Sequence, residues 1–191
     1  MQRLLVIVAV LISFGIGFMV GEIALIRTQK PSSLVNKVID RSLDKYSIEN
    51  LSKVEVQSAK FRVDKLLKDY PYFSSSEFLM EFNPNLDGKT LKKTSGLINT
   101  PKGKGPFPLL VMIRGFVDPK DYFIGNGTAS SSIFFANQGF ITVAPDFLGY
   151  GDSDKEPDNV FEARFQTYTT ILALFNSLNS IEGWDGKNVF I

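Results

Sequence analysis

Three short, mainly apolar runs constrain the fold of this chain more than any other feature of its sequence. They cover residues 108–113, 140–144 and 188–191. Runs of this kind are typical of strands that are covered on both faces, as in a parallel sheet. Two helical patterns, at residues 130–137 and 161–178, separate them. The strand–helix–strand order therefore predicts an α/β fold with a doubly wound sheet.

Two further strands are predicted ahead of the first apolar run. Residues 77–82 and 92–100 have the composition of strands, and residues 83–89 between them contain the Asn, Asp and Gly that favour a turn. Residues 101–106, rich in Gly, Pro and Lys, predict a loop that leads into the apolar runs.

The segment before these strands predicts a stalk. Residues 34–69 are polar, with apolar positions spaced as in amphipathic helices that pack on a domain. A role in binding a specific partner is the alternative. The predicted organisation is therefore a membrane anchor at residues 1–30, a helical stalk or linker at 31–70 and a globular domain at 71–191.

The first thirty residues differ from the rest of the chain. Residues 4–26 are apolar apart from Ser13, the glycines and Glu22, and a helix of about 20 such residues crosses the hydrocarbon core of a bilayer. A secretory signal has a shorter apolar stretch, of roughly 7–15 residues, and a small-residue cleavage site. We therefore predict an uncleaved, single-pass anchor in the lipid bilayer, with a cleaved signal peptide as the alternative. Basic residues flank both ends and do not fix the orientation; we expect the domain on the extracytoplasmic side.

The composition excludes several kinds of chemistry within the chain. The net charge is +1, so there is no basic surplus to neutralise phosphates, and we expect no nucleic-acid partner. The absence of cysteine and histidine excludes thiolate or imidazole metal sites and any imidazole base. Residues 125–127 and 149–151 each form Gly-x-Gly without the third glycine of a dinucleotide site. We therefore expect no metal and no cofactor.

Functional groups in such sheets lie at the carboxyl ends of the strands, and here the sequence resembles a known family. Pro106-Phe107-Pro108, the apolar run and Arg114-Gly115-Phe116 resemble the oxyanion strand of the α/β-hydrolases, which usually ends in His-Gly. Residues 137–146, followed by Gly149-Tyr150-Gly151-Asp152-Ser153, resemble the next strand and its Asp-x-x-Gly-x-Gly-x-Ser loop. Residues 184–191 are similar to the stretch that leads into the nucleophile elbow. The resemblance covers residues 77–191 and is greatest to the prolyl-oligopeptidase and dienelactone-hydrolase branch.

The resemblance implies that the catalytic residues are not in this chain. The family's Gly-x-Ser-x-Gly elbow would begin directly after Ile191, with the acid and the histidine further on. The chain is therefore interpreted as the amino-terminal part of a membrane-anchored serine hydrolase, inactive alone, whose full-length form acts on a small ester or peptide. A catalytically silent hydrolase-fold binding module at a membrane is the alternative. A third hypothesis is a small anchored protein that is complete at 191 residues.

The resemblance also implies an oxyanion and substrate pocket formed by Gly115, Phe116, Val117 and Tyr122. The backbone N–H of Phe116 or of Val117 is the candidate donor, and Gly115 is expected to allow a tight turn; an ordinary strand-to-loop glycine is the alternative. Tyr122 is expected either to donate its hydroxyl or line the pocket, or to be a packed loop tyrosine.

Two charged residues are expected to brace the loops around this pocket. Arg114 would pair with Asp146 or Asp118, or else be solvated. Asp146 is expected to bond the loop backbone, because aspartate readily closes Asx-turns before glycines. Ser153 is interpreted as a cap or loop residue rather than a nucleophile.

Overall fold

The structure is a computed structural model that describes residues 41–191. The predicted anchor at residues 4–26 and the first part of the predicted stalk lie outside the described residues. Within residues 41–191, no helix is long and apolar enough to cross a membrane.

Six strands and three helices make up this part of the chain. The strands are β1 Lys60–Asp69, β2 Phe73–Phe82, β3 Lys92–Pro101, β4 Phe107–Val111, β5 Ile141–Pro145 and β6 Trp184–Phe190. The helices are α1 Ile48–Leu51, α2 Ala129–Asn137 and α3 Val160–Ser177. Short 3₁₀ turns lie at Asp44–Tyr46, Pro119–Asp121 and Leu178–Ser180.

The six strands form one mixed sheet in the order β1-β2-β3-β5-β4-β6. The strands β1, β2 and β3 form an antiparallel meander, and β5 pairs antiparallel with β3. Strand β4 pairs in parallel with β5 on one side and with β6 on the other. Helix α2 connects β4 to β5 and α3 connects β5 to β6, as parallel pairs require. The predicted α/β sheet is therefore confirmed.

Helices α2 and α3 cover opposite faces of this sheet. On one face, Phe78 of β2 and Ile98 of β3 share a buried core with Leu174 of α3. The neighbouring residue Leu97 points to the other face, because successive side chains alternate along a strand. A methyl group placed on Gly125, just before α2, would lie 2.7 Å from its side chain.

The helical prediction for the second half of the stalk is wrong, because residues Lys60–Asp69 form strand β1. The spacing of Val63, Leu66 and Leu67 resembles a helical face, but all three side chains are exposed in the structure. An open edge of β2 carries unpaired N–H and C=O groups, and pairing with β1 satisfies them. The sheet therefore begins at Lys60, ahead of the boundary expected at residue 71.

Residues 41–59, the described segment before β1, contain only short helical turns. Ser47 caps α1, its Oγ accepting a hydrogen bond from Asn50 N. The preceding 3₁₀ turn packs on α3, where Lys45 pairs with Glu162 at 2.8 Å and the Tyr46 ring stacks on Phe165. This packing joins residues 44–46 to the domain.

Strand β6 differs from the buried strand expected for residues 188–191. Among residues 41–191 it pairs only with β4, and all seven of its residues are exposed or half-buried. Phe190 lies edge-on to Phe140, with ring centroids 5.8 Å apart, and remains half-exposed. Its pairing with Leu110 nevertheless places the carboxyl end of β6 beside that of β4.

Candidate functional site

The candidate site lies at the carboxyl end of β4. The connection through α2 leads to β5 on one side of this strand, and the connection through α3 leads to β6 on the other. Sheets of this kind bind ligands outside the carboxyl ends of the strands, where the strand order reverses. A cavity of about 270 Å³ lies here, and its wall includes Arg114, Gly115, Phe116, Tyr150, Val160 and Arg164.

Arg114 connects the segments that follow β4 and β5. Its Nη2 donates to the backbone carbonyl of Asp146 at 2.7 Å, and its Nη1 donates to the carbonyl of Gly115 at 2.9 Å. The guanidinium carbon lies 4.0 Å from the centre of the Tyr150 ring and 4.7 Å from that of Tyr122, a favourable cation–π arrangement. Of the two expected partners, the structure therefore places Asp146 beside Arg114, through its backbone rather than its carboxylate.

Asp118 has a different role. Its Oδ1 accepts a hydrogen bond from the N–H of Lys120 at 2.9 Å and caps the 3₁₀ turn Pro119–Asp121. It is exposed.

The Asp146 carboxylate is fully buried and links several segments. Its Oδ2 accepts from Ser95 Oγ at 2.6 Å, and its Oδ1 accepts from the hydroxyl of Tyr122. The nearby backbone N–H of Gly125 also lowers the pKa of this carboxylate. Burial raises the pKa of Asp146, and these hydrogen bonds and Arg114 oppose that rise.

This arrangement differs from the expected Asx-turn. The carboxylate of Asp146 faces β3 and the loop of Tyr122, and Gly151 lies against it: a Cβ at Gly151 would overlap Asp146 Oδ2. Residue 151 also has a left-handed φ of +55°. The glycine is therefore required here both by backbone conformation and by close approach.

Tyr122 is a packed loop tyrosine. It is half-buried, its ring lies edge-on to that of Tyr150 at 5.0 Å, and it is not part of the cavity wall. Burial and the hydrogen bond to Asp146 raise the pKa of Tyr122, so the phenol stays neutral. Since its proton is donated to Asp146, the hydroxyl is not free to stabilise an oxyanion.

The expected tight turn at Gly115 is not formed. Its φ lies outside the left-handed range, and a Cβ built there would meet no atom of residues 41–191 within 4 Å. Phe116 follows with 79% of its side chain exposed. The carbonyl of Val117 accepts a hydrogen bond from the Tyr150 hydroxyl at 2.9 Å. Because Gly115 has no side chain, it leaves space at the cavity; it does not form a turn.

The sequence did not reveal several residues that support this site. In the sequence, Tyr150 stands out only as the middle residue of a Gly-x-Gly. Its aromatic side chain, in a loop at the carboxyl end of a strand, could have indicated a residue of the site. Ser153 Oγ accepts from the N–H of Ser95 at 2.9 Å and lies 3.2 Å from Thr94 Oγ1, so it is a loop residue that fixes β3 to the loop. Ser95 gave no signal, because its role depends on the pairing of distant strands.

The sequence also gave no indication of a buried carboxyl group. Glu77 of β2 is only 2% exposed, and its Oε1 has no hydrogen-bond partner among the described residues. Burial, and then the nearby Asp152 carboxylate, raise the pKa of Glu77. These acids do not form a metal centre: among residues 41–191, no group of three or more His, Cys, Asp or Glu could hold a metal ion.

Comparison with known proteins gives a likeness of structure only. No family model and no curated protein matches the sequence. Acetyl xylan esterase 1 from Thermoanaerobacterium sp. JW/SL YS485 is similar, with 13% identity and a TM-score of 0.56 over 78% of this chain and 49% of that one. An acetyl xylan esterase from Paenibacillus sp. R4 has 20% identity and a TM-score of 0.51 over 70% of this chain and 45% of that one.

The methylesterase BT1017 is also similar, with 18% identity and a TM-score of 0.53 over 78% of this chain and 32% of that one. The chain thus spans less than half the length of each of these three structures. At such identities the likeness concerns architecture, and it agrees with the sheet order and crossovers described above. The described part of the chain is therefore similar in fold to these three esterases.

Proposed function

We propose that this chain belongs to an esterase that acts by acyl transfer and that its 114–117 loop supplies one donor to the oxyanion. The observation that carries the proposal is the hydrogen bond from Arg114 to the carbonyl of Gly115, at the carboxyl end of β4. In acyl transfer, a backbone N–H aimed at the developing oxyanion lowers the barrier by roughly 3–4 kcal/mol. The fold shared with esterases supports the same assignment.

Peptide geometry favours Phe116 over Val117 as the donor. A trans peptide places its C=O and N–H on opposite sides. Because the Gly115 carbonyl points to the Arg114 guanidinium, the N–H of Phe116 points away from it. The peptide that carries the Val117 N–H has no such bond from Arg114.

We place the nucleophile, the acid and the histidine beyond Ile191. The pairing of Leu110 with Phe190 supports this, because it brings the end of β6 beside the end of β4. A serine shortly after β6 would then face the 114–117 loop, as acyl transfer requires. A short acyl group suits the cavity of about 270 Å³.

Hydrolysis by the protein in its natural full length tests this proposal. We expect it to hydrolyse p-nitrophenyl acetate and to react with a fluorophosphonate probe at one serine outside residues 1–191. Cleavage of a peptide anilide in preference to the ester would favour the peptidase branch. Failure to hydrolyse either substrate or to take up the probe would support the catalytically silent binding module instead.

We further propose that residues 4–26 are an uncleaved, single-pass anchor with the domain on the extracytoplasmic side. The support is the apolar length of the segment, sufficient for about 20 residues of membrane-spanning helix. The protein should remain in the membrane fraction after carbonate extraction, and external protease should reach the domain in intact cells. Release by carbonate, or a mature amino terminus near residues 25–30, would contradict the anchor.

A further inference from the structure

We propose that Tyr150 is a positioning residue that holds the 114–117 loop in its donor conformation. This inference rests on the proposed function of the loop. Tyr150 belongs to the segment after β5, yet its side chain reaches the segment after β4, 33 residues earlier in the chain. It therefore connects two loops that the backbone alone does not join.

Tyr150 supports the loop in two ways. Its hydroxyl donates to the carbonyl of Val117 at 2.9 Å. Its ring lies 4.0 Å from the guanidinium carbon of Arg114, nearer than the rings of Tyr122 and Phe147. Since Arg114 in turn donates to Gly115, the carbonyls on both sides of Phe116 depend on Tyr150.

Packing alone does not hold Phe116 in place. The residue is 79% exposed, so little of its surface is packed against the rest of residues 41–191. The peptide before Phe116 is fixed by Arg114, and the Val117 carbonyl, one residue further on, is fixed by Tyr150. An exposed loop without such bonds opens at little cost, so these two bonds set the direction of the Phe116 N–H.

The position of Tyr150 is itself fixed by its neighbours. Gly149 and Gly151 have left-handed φ values of +81° and +55°, and Gly151 lies directly against the Asp146 carboxylate. The loop is further tied to β3, because Ser95 Oγ accepts a hydrogen bond from the N–H of Asp152 at 2.9 Å. A rigid base of this kind allows the tyrosine hydroxyl to define where the Val117 carbonyl lies.

Tyr150→Phe in the natural full-length protein tests the inference through kinetics. The variant keeps the ring against Arg114 and removes only the hydroxyl. We expect kcat for p-nitrophenyl acetate to fall about tenfold to a hundredfold, as for a displaced reacting group, with KM changed by less than about twofold because the cavity wall is retained. The matched control is Tyr72→Phe: this tyrosine is 71% exposed, and its hydroxyl makes no hydrogen bond within the described part of the chain.

A second measurement is independent of activity. In the natural full-length protein labelled with ¹³C and ¹⁵N, the carbonyl resonance of Val117 should move upfield in Tyr150→Phe and stay in place in Tyr72→Phe. An unchanged Val117 resonance, or an unchanged kcat in an active protein, would overturn the positioning role. If the wild-type protein hydrolyses no ester, the proposed function fails and the catalytic role of Tyr150 with it, while the carbonyl resonance still decides whether the hydroxyl holds the loop.

Discussion

Replacing Gly151 with alanine should destabilise the protein much more than the same change at another glycine of similar backbone conformation. At Gly151, with φ +55°, a Cβ would overlap Asp146 Oδ2 and lie 2.7 Å from Ser95 Oγ. These two atoms form the 2.6 Å hydrogen bond that joins the segment directly after β5 to β3. The new methyl group would therefore fall on that bond.

The cost has two parts. The left-handed conformation of alanine costs roughly 1–2 kcal/mol. Breaking a hydrogen bond to a buried charged group costs about 1.5–3 kcal/mol more. The free energy of unfolding of Gly151→Ala should therefore fall by about 2.5–5 kcal/mol, a large part of the roughly 5–15 kcal/mol of an ordinary domain.

Gly88→Ala is the matched control. Gly88 also has a left-handed φ, +69°, but a Cβ there would meet no atom of residues 41–191 within 4 Å. Only the conformational cost remains, so its free energy of unfolding should fall by roughly 1–2 kcal/mol.

Urea denaturation followed by far-ultraviolet circular dichroism measures both variants. The slopes should be equal, so that the midpoints report stability alone. Equal losses in the two variants would refute the reasoning, since they would show that the Asp146 carboxylate moves aside at no cost.

Three further outcomes are expected from purified variants. Gly115→Ala should change the free energy of unfolding by less than about 0.5 kcal/mol, because the position is open and its φ is not left-handed. A larger loss of stability in urea denaturation would support the tight turn first expected at Gly115. Tyr122→Phe should lose roughly 1.5–3 kcal/mol of stability at pH 7, the value of a hydrogen bond to a charged group, here the Asp146 carboxylate; an unchanged midpoint would contradict this. Burial and Asp152 raise the pKa of Glu77 above its usual 4.5, so the folded state binds that proton more tightly and stability falls as pH rises from 4.5 through the folded pKa. Between pH 4 and pH 7, Glu77→Gln should therefore lose less stability than the wild-type protein, while the raised pKa of Asp146 contributes the same fall to both; equal losses in the two proteins on denaturation at these pH values would contradict this.

Strands with a recognisable local pattern of apolar residues could be predicted from the sequence, whereas the strand without such a pattern could not. Both β4 and β5 are short apolar runs, a pattern that strands covered on both faces share. Strand β1 carries no such pattern: its apolar residues are exposed, and its conformation is decided by the open edge of β2. Propensity could not find it, because its stability comes from a partner that lies further along the chain.

The site was predictable where neighbours in sequence are neighbours in space. The 114–117 loop follows directly from β4, so the family pattern identified it. The contact between Ser95 and Asp146 could not be found in this way, because it spans 51 residues and requires β5 to pair with β3 in the register that sets Gly96 opposite Pro145. The same holds for the bond from Tyr150 to Val117.

The place of β5 between β3 and β4 has a consequence for the nascent chain. On the ribosome, β4 is synthesised before β5, but in the sheet β5 is the strand that pairs with β3. The edge of β3 therefore stays unpaired until β5 has been synthesised. At synthesis rates of roughly 5–20 residues per second, about two to nine seconds separate the synthesis of Pro101, the last residue of β3, from that of Pro145, the last residue of β5. During that interval the β1–β2–β3 meander is the part of this sheet most exposed to wrong pairing, and a chaperone that binds extended apolar segments would protect it best there.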